Sequence, residues 1–130
     1  MQVVLKEANF AGKILDEILV EIENEKITVG ELMRLKVEKE VEKYNEQVKK
    51  ENQGYLNDYE EKLNLVKNKN AVQRKLADVE KEVYRAFEAF QNNQIFITVD
   101  KTQVETLEEE VLLNGDTDVS FVRMTPLVGG

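Results

Sequence analysis

The sequence predicts an α+β fold, a mixed sheet of about four to five strands covered on one face by a main helix. Segments with the two-residue apolar period of strands stand near both ends of the 130-residue chain. Segments with the apolar spacing of helices lie between them. This order packs most simply as a sheet with helices on one face, and its length fits one domain, residues 1–130.

The first two strands are predicted to form a β-hairpin. Residues 3–5 open a short strand, and residues 14–23 alternate with a period of two. The turn between them contains Gly12, which can adopt a positive φ without steric cost. One face of the second strand should be buried, and its apolar positions are Ile18, Val20 and Ile22.

The main helix is predicted to begin after Thr28. Thr28-Val29-Gly30-Glu31 matches a capping box, in which the Thr28 hydroxyl accepts a hydrogen bond from the amide of Glu31. The other positions are mostly Lys and Glu, which indicates a solvated face. The apolar stripe consists of Met33, Val37, Val41, Tyr44 and Val48.

Residues 46–93 are interpreted as a helical insertion. Asn52-Gln53-Gly54 indicates a break, and residues 68–70 indicate a turn. A short amphipathic helix is predicted between them, carrying Tyr55, Leu56, Tyr59, Leu63 and Val66. A clearer helix is predicted over residues 71–91, closed by Asn92-Asn93. Its stripe is typical of core packing, and consists of Val72, Leu76, Val79, Val83, Phe87 and Phe90.

The C-terminal part is predicted to return to strands. Residues 95–99 form a β-branched run, followed by a turn at residues 100–102 and a short return at residues 103–104. After a helical turn or tight loop at residues 106–110, Asn114-Gly115-Asp116 is a strong turn signal. The final strand, with Val119 and Phe121, is predicted to pair centrally and parallel to the first strand. Pro126 should mark the end of its pairing.

Composition excludes several functions. The net charge of −8 opposes binding to nucleic acid or to an anionic membrane surface. The chain has no cysteine and no histidine, so thiol nucleophiles, disulfides and the usual zinc sites are not expected. The acidic residues near the second strand do not have the spacing of a calcium loop: Asp16, Glu17, Glu21 and Glu23. Neither a secretory signal nor a membrane span is evident, and a cytoplasmic protein is expected.

Several motifs resemble the ubiquitin-like β-grasp family. Thr28-Val29-Gly30-Glu31-Leu32 opens the main helix after a hairpin, and residues 96–107 are similar to a ubiquitin stretch of strand, turn and short strand before Thr-Leu. The Asn114-Gly115-Asp116 turn, an apolar last strand and Gly129-Gly130 follow. The end also resembles the bacterial sulfur carriers of molybdopterin and thiamine synthesis. The resemblance covers roughly residues 1–48 and 94–130.

The resemblance implies a β-grasp with a helical insertion at about residues 46–93 and a flexible tail, residues 126–130. It implies that a partner adenylating enzyme uses ATP to activate the Gly130 carboxylate, with Gly129 threading a narrow channel. Pro126, Leu127 and Val128 would be recognised by that enzyme. Conjugating and deconjugating enzymes and a target protein are further implied partners. The chain itself is expected to be a substrate and not an enzyme, with no bound cofactor or metal.

Three functions remain open from the sequence. A protein modifier joined to target amines by an isopeptide bond is preferred, because the insertion adds surface that a minimal carrier does not need. A sulfur carrier with a C-terminal thiocarboxylate is the first alternative. The second alternative is an interaction module that is not conjugated, in which the helical insertion binds a partner.

Overall fold

The structure, a computed structural model, describes residues 1–61 and 75–124. It is an α+β fold, as predicted. The elements in chain order are β1 (Gln2–Asn9), β2 (Ile14–Glu21), β3 (Lys26–Thr28), α1 (Val29–Glu61), α2 (Val79–Gln91), β4 (Ile95–Val99), β5 (Thr102–Val104), β6 (Glu110–Leu112) and β7 (Val119–Arg123).

The main sheet has five strands in the order β2-β1-β7-β4-β5. β7 lies at its centre, parallel to β1 and antiparallel to β4. Its pairing with β1 runs from Leu5 opposite Val119 to Asn9 opposite Arg123. The prediction of a central last strand, parallel to the first, is therefore confirmed.

The predicted hairpin and its turn are also confirmed. β1 and β2 pair antiparallel, and Gly12 has a φ of +88°. The Asn9 side chain shapes the turn, because its Oδ1 accepts hydrogen bonds from the amides of Ala11 (3.0 Å) and Lys13 (2.9 Å). Ile18 and Val20 are buried on one face of β2.

The sequence did not predict the second, two-stranded sheet, in which β3 pairs antiparallel with β6. Each strand has three residues, too few to show a two-residue period. Ile27 and Val111 face each other across the pair, and both are buried. The loop before β6 also receives the start of α1, since the amide of Gly30 donates to the carbonyl of Leu107 (2.8 Å).

Helix α1 begins as predicted but is longer. The Thr28 hydroxyl accepts from the amide of Glu31 (3.1 Å), and four stripe residues are buried: Met33, Val37, Val41 and Val48. Tyr44 is 39% exposed, so it does not belong to the core. The predicted break at residues 52–54 is wrong, because α1 continues to Glu61. One glycine costs a helix only about 1 kcal/mol, which good helix formers on both sides can offset.

Helix α2 starts later than predicted, at Val79 instead of residue 71. Asp78 is its N-cap, with Oδ1 accepting from the amides of Glu80 (3.0 Å) and Lys81 (3.5 Å). Leu76 precedes the helix and is 51% exposed, so it is not on the buried stripe. The predictions for Leu63, Val66, residues 68–70 and Val72 fall outside the described residues. The predicted end at Asn92-Asn93 is confirmed.

The described helices and strands share one hydrophobic core on one face of the sheet. α1 contributes Leu32 and Met33, and α2 contributes Val83 and Phe90 to the same cluster. Helix α2, which falls within the predicted insertion, is thus packed into the core. Neither described helix combines the length and apolar character that crossing a membrane requires.

Candidate functional site

Strand β7 fixes the place where the chain leaves the sheet. Its backbone is paired on both sides, and Val119 and Phe121 are 0% and 3% exposed. After Arg123 the amide of Met124 donates to the carbonyl of Gln94 (2.9 Å). The strand itself ends at Arg123, and Pro126, where the sequence predicts the end of pairing, lies outside the described residues.

The tail lies outside the described residues. It comprises all five residues that the sequence singles out for activation and recognition: Pro126, Leu127, Val128, Gly129 and Gly130. Their roles stay predictions. The structure does describe the surface around Met124, the last described residue before the tail.

Four charged side chains form an exit cluster at this end of the sheet: Glu7, Lys36, Glu40 and Arg123. The Nε of Arg123 donates to Oε1 of Glu7 (2.8 Å). Lys36 Nζ donates to Oε1 of Glu40 (2.6 Å) and lies 3.8 Å from Oε1 of Glu7. Two cations thus face two carboxylates, which joins β1, β7 and α1 electrostatically.

Lys36 is the most deeply placed member of the exit cluster, with only 6% of the residue exposed. It follows the buried Met33 by three positions on α1, so it lies on the side of the helix that faces the sheet. Its Nζ lies 5.0 Å from the centre of the Phe121 ring, within the range of a cation–π contact. Such a buried lysine needs both carboxylates, since an unpaired charge there would be costly.

Next to the exit cluster lies an open groove of about 670 Å³, here named the α1–α2 groove. It lies between the two helices and over the ends of β4 and β7. Its volume is within the range of small-molecule and cofactor sites, about 300–1,000 Å³. The apolar lining consists of Met33, Val37, Val41, Leu76, Ala77, Ala86, Ala89, Ile95 and Phe121.

Two polar ties connect α1 with the α2 segment. The guanidinium of Arg34 donates to both carboxylate oxygens of Glu80, at 2.8 and 3.3 Å. This hydrogen bond and the charge of Arg34 lower the pKa of Glu80. The side chain of Asn45 bonds both backbone groups of Ala77, accepting from its amide (2.7 Å) and donating to its carbonyl (3.2 Å). These ties hold the segment before α2 at a set distance from α1.

Neither the exit cluster nor the groove was predicted from the sequence. One signal was present for Arg123: with Val119 and Phe121 facing the core, the two-residue period places Arg123 on that same face. Lys36 gives a weaker signal, as a lysine adjacent in position to the stripe residues Met33 and Val37. The groove has no local sequence signal, because it depends on the distance between two helices.

A smaller apolar surface lies on the open face of the sheet. Val4 and Leu19 are register partners there and are 37% and 47% exposed. Phe10, in the hairpin turn, is 63% exposed. Scattered apolar residues are normal on protein surfaces, so this face carries less weight than the groove.

No family model, curated protein or solved structure matches this chain. Among the described residues, no group of three or more acidic, cysteine or histidine side chains is placed to hold a metal ion.

Proposed function

We propose that this chain is a ubiquitin-like protein modifier with a β-grasp fold and a helical insertion. Its C-terminal glycine carboxylate would be activated by a partner enzyme and joined to target amines. One observation carries the proposal: the strand before the tail is the central strand of the sheet, paired along both edges. The five-stranded mixed sheet, crossed by α1 on one face, is compatible with a β-grasp.

This arrangement suits a protein that presents its own terminus to an enzyme. Breaking the pairing of β7 would require separating it from both β1 and β4. A force applied to residues 125–130 would therefore be opposed by the hydrogen bonds on both edges of β7. Gly129 and Gly130 lack a Cβ and can pass through a channel too narrow for other residues. The sheet would hold the terminus while the glycines approach the reacting groups.

The chemistry requires a free carboxylate on Gly130. That carboxylate attacks the α-phosphate of ATP on the partner enzyme, forming an acyl-adenylate and releasing pyrophosphate. A partner thiolate then attacks the acyl carbon and releases AMP, and a lysine amine of the target displaces the thiol to form an isopeptide bond. This chain supplies the acyl group, and the partners supply the catalytic groups.

The test compares three forms of the chain in cells that naturally make it. The unchanged protein should give covalent conjugates of higher mass, and peptides of the conjugates should carry a branched lysine ending in Gly130. Deleting Gly129 and Gly130 should abolish them. The matched control is Gly115→Ala, in an exposed turn where an added Cβ meets only the Gln2 carbonyl oxygen at 3.9 Å. Conjugates should persist in this control.

Two results would count against the proposal. If conjugates form equally without Gly129 and Gly130, the terminus is not the reacting group. If the intact protein instead gains the mass of one oxygen replaced by sulfur, with no conjugates, the chain is a sulfur carrier. Absence of both products with the unchanged terminus would favour the interaction module.

A further inference from the structure

The α1–α2 groove opens at the place where the chain leaves the sheet. Arg123 and Ile95 are register partners at the ends of β7 and β4, and both line the groove. Met124 follows directly and is bonded to Gln94. The described part of the chain therefore ends beside the groove.

Helix α1 lines the groove from Met33 to Tyr44. Lys36 of α1 lies over Phe121, and its neighbour Glu7 is bonded to Arg123, so α1 passes over the end of β7. Tyr44 lines the groove two helical turns later, about 12 Å further along the axis. Lys75 and Leu76 line the same part from the other side.

We propose that the tail of this chain binds in the α1–α2 groove, with Leu127 and Val128 against its apolar lining. Residues 125–130 read Thr-Pro-Leu-Val-Gly-Gly and have no charged side chain. Their apolar side chains suit the apolar part of the groove lining, which stands beside charged residues of α1, α2 and the strands. Six residues can span about 20 Å, more than the about 12 Å between Lys36 and Tyr44 along the helix axis.

Covalent attachment makes weak contacts sufficient. A segment joined by a short linker has an effective concentration in the range of about 1 mM at its own site, so two apolar side chains can keep it bound for much of the time. The exit cluster supports this arrangement, since the Glu7–Arg123 bond fixes the side chain beside the point of exit. This binding does not depend on whether Gly130 is ever activated.

Occupation of the groove would regulate access to the terminus. Any partner that takes up the tail would have to displace it from the groove first. Conversely, a molecule that fills the groove would release the tail. The helical layer would thereby control the exposure of a segment that the sheet anchors.

Paramagnetic broadening of amide signals tests the proposal on the full chain. The chain has no cysteine, so Gly130→Cys can carry a nitroxide label at one site. We expect loss of amide signals in the two helix segments that carry groove-lining residues, 36–44 and 82–89. In the matched control, Leu127→Asp and Val128→Asp are added to the same labelled chain, and these signals should return.

A groove variant supplies the reciprocal test. Ala86→Trp should fill the groove and restore the signals of residues 36–44 in the labelled chain. Tyr84→Trp is its control, because Tyr84 lies on the same helix, is 66% exposed and does not line the groove. It should leave the broadening intact. If Ala86→Trp does not fold, Ala89→Trp gives the same reading from the other lining alanine of α2.

Three outcomes would overturn the proposal. The first is no broadening in the labelled chain, which would leave the groove empty or taken by another molecule. The second is broadening that survives the two aspartates. The third is broadening of the groove amides on chains without the nitroxide when they are mixed with nitroxide-labelled chains, because the tail would then come from a second copy.

Discussion

The sheet and the helical layer of this protein are held together in different ways. β7 is fixed by continuous backbone pairing to β1 and β4, with Val119 and Phe121 buried beneath it. The start of α2 and the residues before it are held to α1 by side chains, the Arg34–Glu80 and Asn45–Ala77 contacts, beside an open groove. The anchor of the tail thus depends on backbone hydrogen bonds, whereas the shape of the groove depends on side-chain contacts between the helices.

The largest loss of stability is expected from Phe121→Ala. Phe121 is 3% exposed and belongs both to the core and to the floor of the groove, so its loss leaves a cavity beneath the central strand. We expect the free energy of unfolding to fall by about 3–5 kcal/mol, measured by urea denaturation. Val122→Ala, on the partly exposed neighbouring residue, should cost clearly less. Equal losses would show that β7 does not depend on its buried face.

Lys36→Met should have the next largest effect, because it leaves Glu7 and Glu40 facing each other without their shared cation. The side chain of Glu40 is 35% exposed, so water replaces part of the lost interaction. We expect a loss of about 2 kcal/mol in urea denaturation, less than for a fully buried pair. Lys39→Met, at an exposed site on α1, is the control. Adding Glu40→Gln should recover part of the loss, and no recovery would mean that the two charges are not coupled.

Asn45→Ala tests the tie between the helices. It removes both bonds to the backbone of Ala77, and the expected cost is about 1–2 kcal/mol. Amide exchange should accelerate at Ala77 and the start of α2 while β7 keeps its protection. Gln47→Ala, which changes an exposed side chain of the same helix, should alter neither. Faster exchange in β7 would argue that the sheet and the helical layer open together.

The smallest effect on stability is expected from the Arg34–Glu80 pair, and this effect depends on pH. Arg34 lowers the pKa of Glu80 below its value in the unfolded chain. At pH values above the pKa of Glu80 in the unfolded chain, the pair therefore stabilises the fold. This stabilisation is lost as the pH falls through the pKa of Glu80 in the folded chain. Glu80→Gln should be slightly less stable than the parent at neutral pH and equal to it in acid, compared by urea midpoints. Glu88→Gln is the control, and a difference that persists in acid would exclude this linkage. Exposed pairs contribute little, so the effect should be small.

The sequence predicted the sheet better than the helical layer for physical reasons. The period of two in Val119, Phe121 and Arg123 survives in the structure because one face of β7 is buried and the other is not. The turn at Asp100 and Lys101, both with positive φ, was also visible from its position after a β-branched run. In such segments the local pattern and the tertiary environment agree.

In the helical layer the local signals were overridden. Gly54 did not end α1, because a weak local penalty does not stop a helix whose neighbours favour it. Asp78 was not recognised as a cap, although a residue of this type before Glu80 and Glu82 is a typical helix start. The groove could not be predicted, since it depends on the distance between α1 and α2. The pattern of a single segment carries no information about that distance.

The pairing of β1 with β7 has a consequence for the order of folding. Glu7 and Arg123, bonded in the finished sheet, are 116 positions apart in the chain. During synthesis the β1–β2 hairpin and α1 emerge well before β7, so the central position between β1 and β4 has to be filled last. Contacts between distant residues slow folding, and hairpins that wait for a partner have open edges that can pair with other chains. Folding of this protein is therefore expected to be completed by the very strand that leads into its tail.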